Sequence, residues 1–330
     1  IIDYFKVRVC SKGILTSLKM SCGIYWPLLR KDAVQSFSDH IPISNLLYLN
    51  LFNTAIRLLP RQTLGLYLQE NQPWELSLIH AWQSSGHKCL VGVPHTTVRY
   101  WDLRYFFDSR SYNSLRVNPL PMPNKVAVNG STAKIMYLKW RYSEKDLIEV
   151  EALRYLYLDK DANTVIQRHV KEPIITILVF GDSLKQNTDF QLNLLENAVD
   201  KKDINIKLLF KPHPNCSINL EDCQLNSMEL VDGNISDLLQ ECDIVFVSNV
   251  SSVAVEAYCF GKPVISVMNP AKVNFSPLKG AEGVVFISTP SEFIKAINDI
   301  SKKEYKAAKL GSDFFYLDND LPRWQNLLGI

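Results

Sequence analysis

The stretch Ile206-Lys207-Leu208-Leu209-Phe210-Lys211-Pro212-His213-Pro214 decides the fold. It opens as a β-rich run and then meets two prolines. Proline fixes φ and has no backbone N–H to offer a neighbouring strand, so the strand stops and Lys211 and His213 are displayed on the loop at its carboxyl end. A second stretch, Asp243 to Ser266, reads as strand, hydroxyl-rich turn, helix, glycine stop and strand. Ser251 or Ser252 is expected to cap that helix, whose first turn leaves free N–H groups and a positive dipole end. Ser248 and Asn249 close the strand before it. In a parallel sheet both strands end on one edge, the edge where open α/β sheets bind ligands. Each motif alone also reads as a plain turn or a plain cap. Together they predict a site in which Lys211 and His213 face serine hydroxyls over a phosphate.

The two motifs resemble the His-Pro and Ser-Ser (or Ser-Thr) motifs of GT-B glycosyltransferases that use CMP-activated acid sugars, the bacterial sialyl-, polysialyl- and Kdo-transferases. They also look like the corresponding positions of CDP-glycerol glycerophosphotransferases. The likeness of fold covers most of the chain. It implies an α/β protein of GT-B type, with two Rossmann-like domains whose parallel sheets face across a cleft and a C-terminal helix that crosses back. By this resemblance His213 binds the cytidylyl phosphate and helps the nucleotide leave, Ser251 and Ser252 hold the same phosphate, and the loop Val231 to Asn234 lies against the base. The wider pattern, Val98-Arg99-Tyr100-Trp101-Asp102-Leu103-Arg104-Tyr105 early and Leu321-Pro322-Arg323-Trp324 late, is similar to bacterial surface-carbohydrate biosynthesis proteins.

A chain of 330 residues is too long for one ordinary core and suits two α/β domains. A formal net charge of +2 carries no polyelectrolyte character, so nucleic acid is not an implied partner. No run reaches the roughly eighteen apolar residues that cross a bilayer, which implies a soluble or peripheral protein. The seven cysteines are odd in number and scattered, which points to reduced thiols in the cytoplasm. His213 with Cys216 and Cys223 lacks a paired Cys-x-x-Cys, so zinc is not expected. The chain starts at Ile1 without methionine, as a trimmed form or a module of a larger polypeptide would.

Four divisions are expected: residues 1–158 as an acceptor-side Rossmann-like domain, 159–173 as a linker, 174–312 as a nucleotide-sugar-binding domain and 313–330 as the crossover helix. Before residue 60 the signal is weakest. Asn45 to Phe52 looks like a buried helix, and basic residues beside Trp26 and Leu28 either pack on the neighbouring domain or rest on an anionic membrane surface. Gly65 to Glu70 reads as a strand, followed by a helix from Trp74 to about Ser84 with Pro73 in its first turn. The strand Lys88 to Val93 ends in the polar loop Pro94-His95-Thr96-Thr97, and the charged, aromatic segment after it suits a site better than a spacer. Residues 109–124, rich in proline, read as loop or lid. Ile174 to Phe180 is an apolar run, as a central parallel strand is, and ends at Gly181-Asp182-Ser183, which join the nucleotide- and phosphate-binding candidates. One glycine there is too few for a dinucleotide fingerprint.

Sugar transfer requires that a leaving phosphate be neutralised and an acceptor hydroxyl lose its proton. The first need is met by Lys211, His213, the serines and helix-end N–H groups. No Asp-x-Asp ends a strand, so metal independence and no cofactor beyond the nucleotide sugar are expected. For the second need the candidates are Glu70, His95, Asp102 and Glu151. Glu70 ranks first because it ends a strand and precedes a helix, as the catalytic carboxylate does in the enzymes it resembles, although the glycine-bearing motif of those enzymes is replaced here by Glu70-Asn71-Gln72. Asp102 between Arg99 and Arg104 reads as an ion pair or an orienter. Arg99, Arg104 and Arg154 are candidates to grip an acid sugar's carboxylate or the acceptor. Glu256, one turn beyond Ser252, reads as a ribose contact or a capping partner.

The function expected from these residues is transfer of a CMP-activated nonulosonic or ulosonic acid onto a surface glycan or lipid-linked glycan, in the cytoplasm, either free or at the inner face of the cytoplasmic membrane. A UDP-sugar enzyme (transferase or 2-epimerase-like), a CDP-glycerol polymerase and a non-catalytic glycan- or partner-binding module are the alternatives.

Overall fold

The computed structural model describes residues 2–38, 40–99, 101–112, 119–162, 174–199, 205–216, 228–301 and 314–330. Its first part holds α1 (Ile2–Cys22), α2 (Trp26–Gln35), α3 (Ile41–Arg57), β1 (Leu64–Leu68), α4 (Pro73–Ser84), β2 (Cys89–Val93), α5 (Ser109–Tyr112) and β3 (Lys125–Val128). There follow α6 (Ser131–Lys139), β4 (Leu147–Glu149), α7 (Tyr157–Ala162), β5 (Ile175–Phe180), α8 (Lys185–Val199), β6 (Ile206–Lys211) and β7 (Met228–Leu230). The last elements are α9 (Ile235–Glu241), β8 (Ile244–Ser248), α10 (Val253–Cys259), β9 (Val264–Val267), β10 (Val284–Ile287), α11 (Pro290–Ser301) and α12 (Pro322–Leu328).

Two sheets result, of order β1-β2-β3-β4 and β10-β9-β8-β5-β6-β7. The alternation of strand, polar turn and helix produces this arrangement, because a parallel pair needs a crossover and a helix supplies it. By contacts the chain forms two compact units, residues 1–93 with 107–126, and residues 94–106 with 127–330.

Within the larger unit β5 is the central strand, parallel to β6 on one side and to β8 on the other. Its run Ile-Thr-Ile-Leu-Val-Phe has both faces covered, and the side chains sort by period two. Leu178, Phe180, Leu209, Val245, Val247 and Val264 enter the layer closed by α9 and α10. Ile177, Val179, Leu208, Phe210, Phe246 and Ile265 enter the layer closed by α8 and α11, where Phe246 meets Phe293 edge-on at 5.2 Å. Full burial of one such phenylalanine contributes about 2–3 kcal/mol. The chain leaves β5 for β6 and β7, then returns to β8 and proceeds the other way to β9 and β10. The strand order therefore reverses between β5 and β8, the point at which a doubly wound sheet opens a crevice at its carboxyl edge.

The tail returns to the segment around β3 and β4, as expected for a C-terminal helix that crosses back. Tyr316 N donates to Asn129 O at 2.9 Å and Ala152 N to Tyr316 O at 2.9 Å. A Cβ on Gly130 would stand 1.9 Å from the carbonyl oxygen of Phe314, so only glycine lets the tail lie this close.

In the smaller unit, α3 differs from the buried helix expected at Asn45 to Phe52. It packs on α4, with Phe52 against Trp74 at 6.1 Å and Ile56 buried, while Leu47 and Leu51 face solvent. Apolar composition over this stretch covers more than one face, and a single neighbour buries only one of them. Most of the expected linker, residues 163–173, lies outside the described residues, and α7 occupies its start.

Candidate functional site

The carboxyl ends of β6, β5 and β8 lie side by side, and their exit loops bring most of the phosphate-binding candidates together. At the exit of β5, Asp182 is buried and organises the turn. Its Oδ1 accepts from Leu184 N at 2.8 Å and from the Ser183 hydroxyl at 3.4 Å, and its N–H donates to Thr188 Oγ1 at 2.9 Å. Its Oδ2 accepts a close hydrogen bond from the Ser248 hydroxyl at the end of β8. That bond spans the strands on either side of the switch point. Asp182 thereby positions Ser248 and the turn, and its buried carboxylate is unsuited to meeting an anion itself.

Beyond Ser248, Asn249 donates to Val273 O at 3.3 Å. Ser251 and Ser252 follow, half-buried, at the start of α10. The expected cap is not made: Ser252 occupies the N-cap position with φ −72° and ψ −24° and no side-chain cap bond. A capping side chain reaches back from an extended N-cap, and a helical one points it away. Neither serine hydroxyl is bonded to a described residue, which leaves both available to a ligand.

On the other side of β5, His213 Nδ1 accepts the Asn215 N–H at 3.1 Å. That bond places the proton of the neutral imidazole on Nε2, a donor directed away from its own loop. Gly181 lies beneath this loop: a Cβ there would stand 3.2 Å from the Phe210 ring and 3.3 Å from His213 N. Lys211 Nζ pairs with Asp232 at 2.9 Å, so its charge is shared with an exposed carboxylate of the loop Val231 to Asn234. The Lys211 hydrogen bond, with the Gly233 N–H, holds the Asp232 carboxyl below the usual range. His213 and the serines stand one strand either side of β5, two strand spacings or about 10 Å apart at the sheet edge. The Gly181-Asp182-Ser183 turn leaves the strand between them.

A second cluster lies behind α10. Tyr157 donates a close hydrogen bond to Glu256 Oε2, while Glu256 Oε1 is buried with no hydrogen-bond partner. Burial raises the Glu256 carboxyl, and the Tyr157 bond and the Arg154 charge offset only part of that. Burial likewise pushes Tyr155 up to about 12, against the pull of Arg154 and Arg99. The Arg154 guanidinium lies over the Tyr155 ring at 5.7 Å. Neither Arg99 nor Arg154 forms a salt bridge with a described residue, and the charge of each reaches Tyr155. Sequence reasoning singled out Glu256, Arg99 and Arg154 separately. Tyr157, which ties them together, it missed, because its partner is 99 residues away.

The remaining candidates divide. Asp102 is gripped by Arg104 through Nε at 2.9 Å and Nη2 at 2.6 Å. Burial alone would raise its carboxyl; the Arg104 bonds and charge, with Arg99 beyond, hold it below the usual range. A carboxylate so held is an ion-pair partner and a poor base, and Arg104 is correspondingly committed. Glu151, a candidate base in the sequence, serves the tail instead: it accepts from Arg323 N at 3.0 Å, Arg323 Nη1 at 3.1 Å and Trp324 N at 3.1 Å, and is 1% exposed. It thus satisfies the first turn of α12. His95 stands half-buried in the segment after β2.

Glu70, in the smaller unit, is half-buried after β1. Its N–H donates to Glu75 Oε1 at 2.9 Å, and Gln72 N does the same at 2.9 Å. Glu75 closes a capping box at the start of α4, and burial raises its carboxyl despite those backbone bonds. The signal for it was present as Gln72-x-x-Glu75. For the metal idea, Cys223 lies outside the described residues, and among those described no group of three or more His, Cys, Asp or Glu is placed to hold an ion.

No family model matches the chain. No curated protein matches it either. Solved structures do. The UDP-GlcNAc 2-epimerase of Methanocaldococcus jannaschii superimposes with a TM-score of 0.53 at 12% identity, over 88% of this chain and 83% of that one. Staphylococcus aureus MnaA, solved with UDP, gives 0.53 at 13% identity over 83% and 75%. The UDP-GlcNAc 2-epimerase of Neisseria meningitidis, bound to UDP-GlcNAc, gives 0.51 at 13% identity over 82% and 78%. At this identity the likeness establishes the fold: two parallel α/β sheets with interleaved helices, of GT-B type.

Proposed function

We propose that this chain is a nucleotide-sugar enzyme of surface-glycan synthesis that holds the diphosphate of a UDP-sugar on the exit loops of β5, β6 and β8. The observation that supports it is the set of open donors at one sheet edge: His213 Nε2, the hydroxyls of Ser251 and Ser252, and the first N–H groups after them. Three loops across about 10 Å suit a diphosphate better than a single phosphate. The structural relatives that bind UDP or UDP-GlcNAc favour uridine over cytidine as the nucleotide.

In this reading His213 and the serines stabilise the charge that develops on the leaving diphosphate, with Lys211 released from Asp232 to join them. Transfer to a glycan acceptor by this chemistry calls on no metal. Epimerisation at the sugar of UDP-GlcNAc is the reaction that the relatives' own substrate suggests as the competing outcome. A CMP-linked acid sugar keeps one observation in its favour, the two guanidiniums of Arg99 and Arg154, which suit a carboxylate.

Thermal denaturation with UDP, UDP-GlcNAc, CMP, CMP-acid sugar, CDP and GDP decides among these, since only a ligand of the folded state raises the midpoint. The reading requires a shift with uridine nucleotides that His213→Ala and the double variant Ser251→Ala with Ser252→Ala abolish. A shift confined to cytidine nucleotides moves the assignment to the acid-sugar reading. No shift with any nucleotide leaves a glycan- or partner-binding module.

A further inference from the structure

The charge of this chain is unevenly placed. Residues 1–61 contain eight Lys or Arg and three Asp with no Glu, whereas the remaining residues carry 28 Lys or Arg against 31 Asp or Glu. The basic excess therefore lies entirely in the segment that forms α1, α2 and α3. The same segment exposes apolar side chains in an ordered way. On α3 and its C-cap, Ile43, Leu47, Leu51 and Leu58 repeat at helical spacing, with Leu47 65% and Leu58 80% exposed, while the opposite side of the helix packs on α4. On α1, Ser11 is buried and Arg8 reaches the Phe37 carbonyl, so that side faces α2 and α3. The other side shows Phe5, Val9 and Met20 to solvent, flanked by Lys6, Lys12 and Lys19. Ile24 and Leu28, each more than three-quarters exposed, continue the apolar surface beside Arg30 and Lys31.

We propose that α1, α2 and α3 form a docking surface for a membrane carrying anionic lipid headgroups, on which the protein rests without spanning it. Apolar side chains ringed by lysine and arginine, with acids nearly absent, match an interface that offers acyl chains beneath and negative charge above. None of the described helices is long and apolar enough to cross a bilayer. A second copy of this chain is a poorer occupant, because it would set one basic surface against another. The proposal is independent of the nucleotide site.

The experiment is co-sedimentation of the full chain with vesicles of phosphatidylglycerol and phosphatidylcholine, and with phosphatidylcholine alone, at low and high salt, alongside light scattering for oligomeric state. At least tenfold stronger binding to the anionic vesicles is expected, weakened by salt. Leu47→Glu with Leu51→Glu, and separately Lys6→Glu with Lys12→Glu and Lys19→Glu, should each lower it at least tenfold. Circular dichroism and any nucleotide-induced thermal shift should be unchanged in these variants, all of them altered at exposed positions. Equal binding to both vesicle types, no binding, or a dimer that Leu47→Glu with Leu51→Glu dissociates would overturn the proposal.

Discussion

Tyr157 and Glu256 hydrogen-bond across 99 residues, joining the segment after β4 to the helix after β8. One carboxylate oxygen is used and the other is buried unbonded, so the fold favours the protonated acid. A carboxyl whose folded-state pKa is raised binds its proton more tightly folded than unfolded. Its contribution to stability is therefore greatest at acid pH and declines as pH rises through the window above the ordinary glutamate value. Glu256→Gln should match wild type near pH 4 and melt at higher temperature than wild type at pH 8. Tyr157→Phe removes the sole donor and should cost about 1–3 kcal/mol at neutral pH. Melting curves from pH 4 to 9 test both, and a Glu256→Gln protein less stable at pH 8 contradicts the account.

Glu151 has the opposite sign. Burial raises its carboxyl, but the backbone donors of Arg323 and Trp324 and the Arg323 side chain outweigh that and lower it. A lowered carboxyl contributes stability that is present above its unfolded pKa and is lost as pH falls through the folded one. Glu151→Ala leaves the first turn of α12 without its acceptor, and should cost about 3 kcal/mol. Limited proteolysis should then cut the tail near residue 320 well before the rest of the chain. Gly130→Val should have the same proteolytic pattern by steric means, since the tail carbonyl occupies the space of a Cβ. Equal protease resistance in all three proteins would show that the tail is held elsewhere.

Much of the fold was legible because β5 and β8 are buried on both faces, and their apolar runs, ended by Gly181 after β5 and by Ser248 and Asn249 after β8, announce central parallel strands. The exits carried their chemistry visibly too, in His213 between prolines and in Ser251 and Ser252. What was not legible depends on three-dimensional placement. The order that puts β5 between the two motifs is a property of chain crossovers. Lys211 reads as a free cation until Asp232 is seen beside it, and Glu151 reads as a candidate base until the tail is seen to cover it. Ser252 reads as a cap, yet its helical φ and ψ turn the hydroxyl away from the helix it precedes.

Gly181 is the contact between the turn after β5 and the His213 loop. A methyl group there meets the Phe210 ring and the His213 backbone at 3.2 and 3.3 Å, tighter than a relaxed contact, and the loop must give way by a few tenths of an ångström. Gly181→Ala should therefore change the melting temperature little, at a cost of about 1 kcal/mol, while lowering nucleotide affinity tenfold or more through a displaced His213. Titration calorimetry alongside melting separates the two effects. Loss of stability and affinity in proportion would mean that the glycine is a packing residue only.

Lys211 and Asp232 give the sharpest test of how the site accepts charge. Asp232 is fully exposed and its pair with Lys211 is 2.9 Å long, the kind of surface pair that solvent weakens. If the site takes nucleotide as proposed, a ligand phosphate in a less solvated crevice competes with this pair, and the ammonium is expected to change partner on binding. Asp232→Asn should accordingly tighten nucleotide binding by about two- to fivefold, since no pair has to be broken. Lys211→Met should weaken binding tenfold or more, and Lys211→Arg should retain most of it. Raised salt narrows the difference between Asp232→Asn and wild type, because the competing pair is screened. If Asp232→Asn weakens binding, the carboxylate orients the lysine toward the ligand instead of competing for it, and the order of events proposed for the leaving group must be changed.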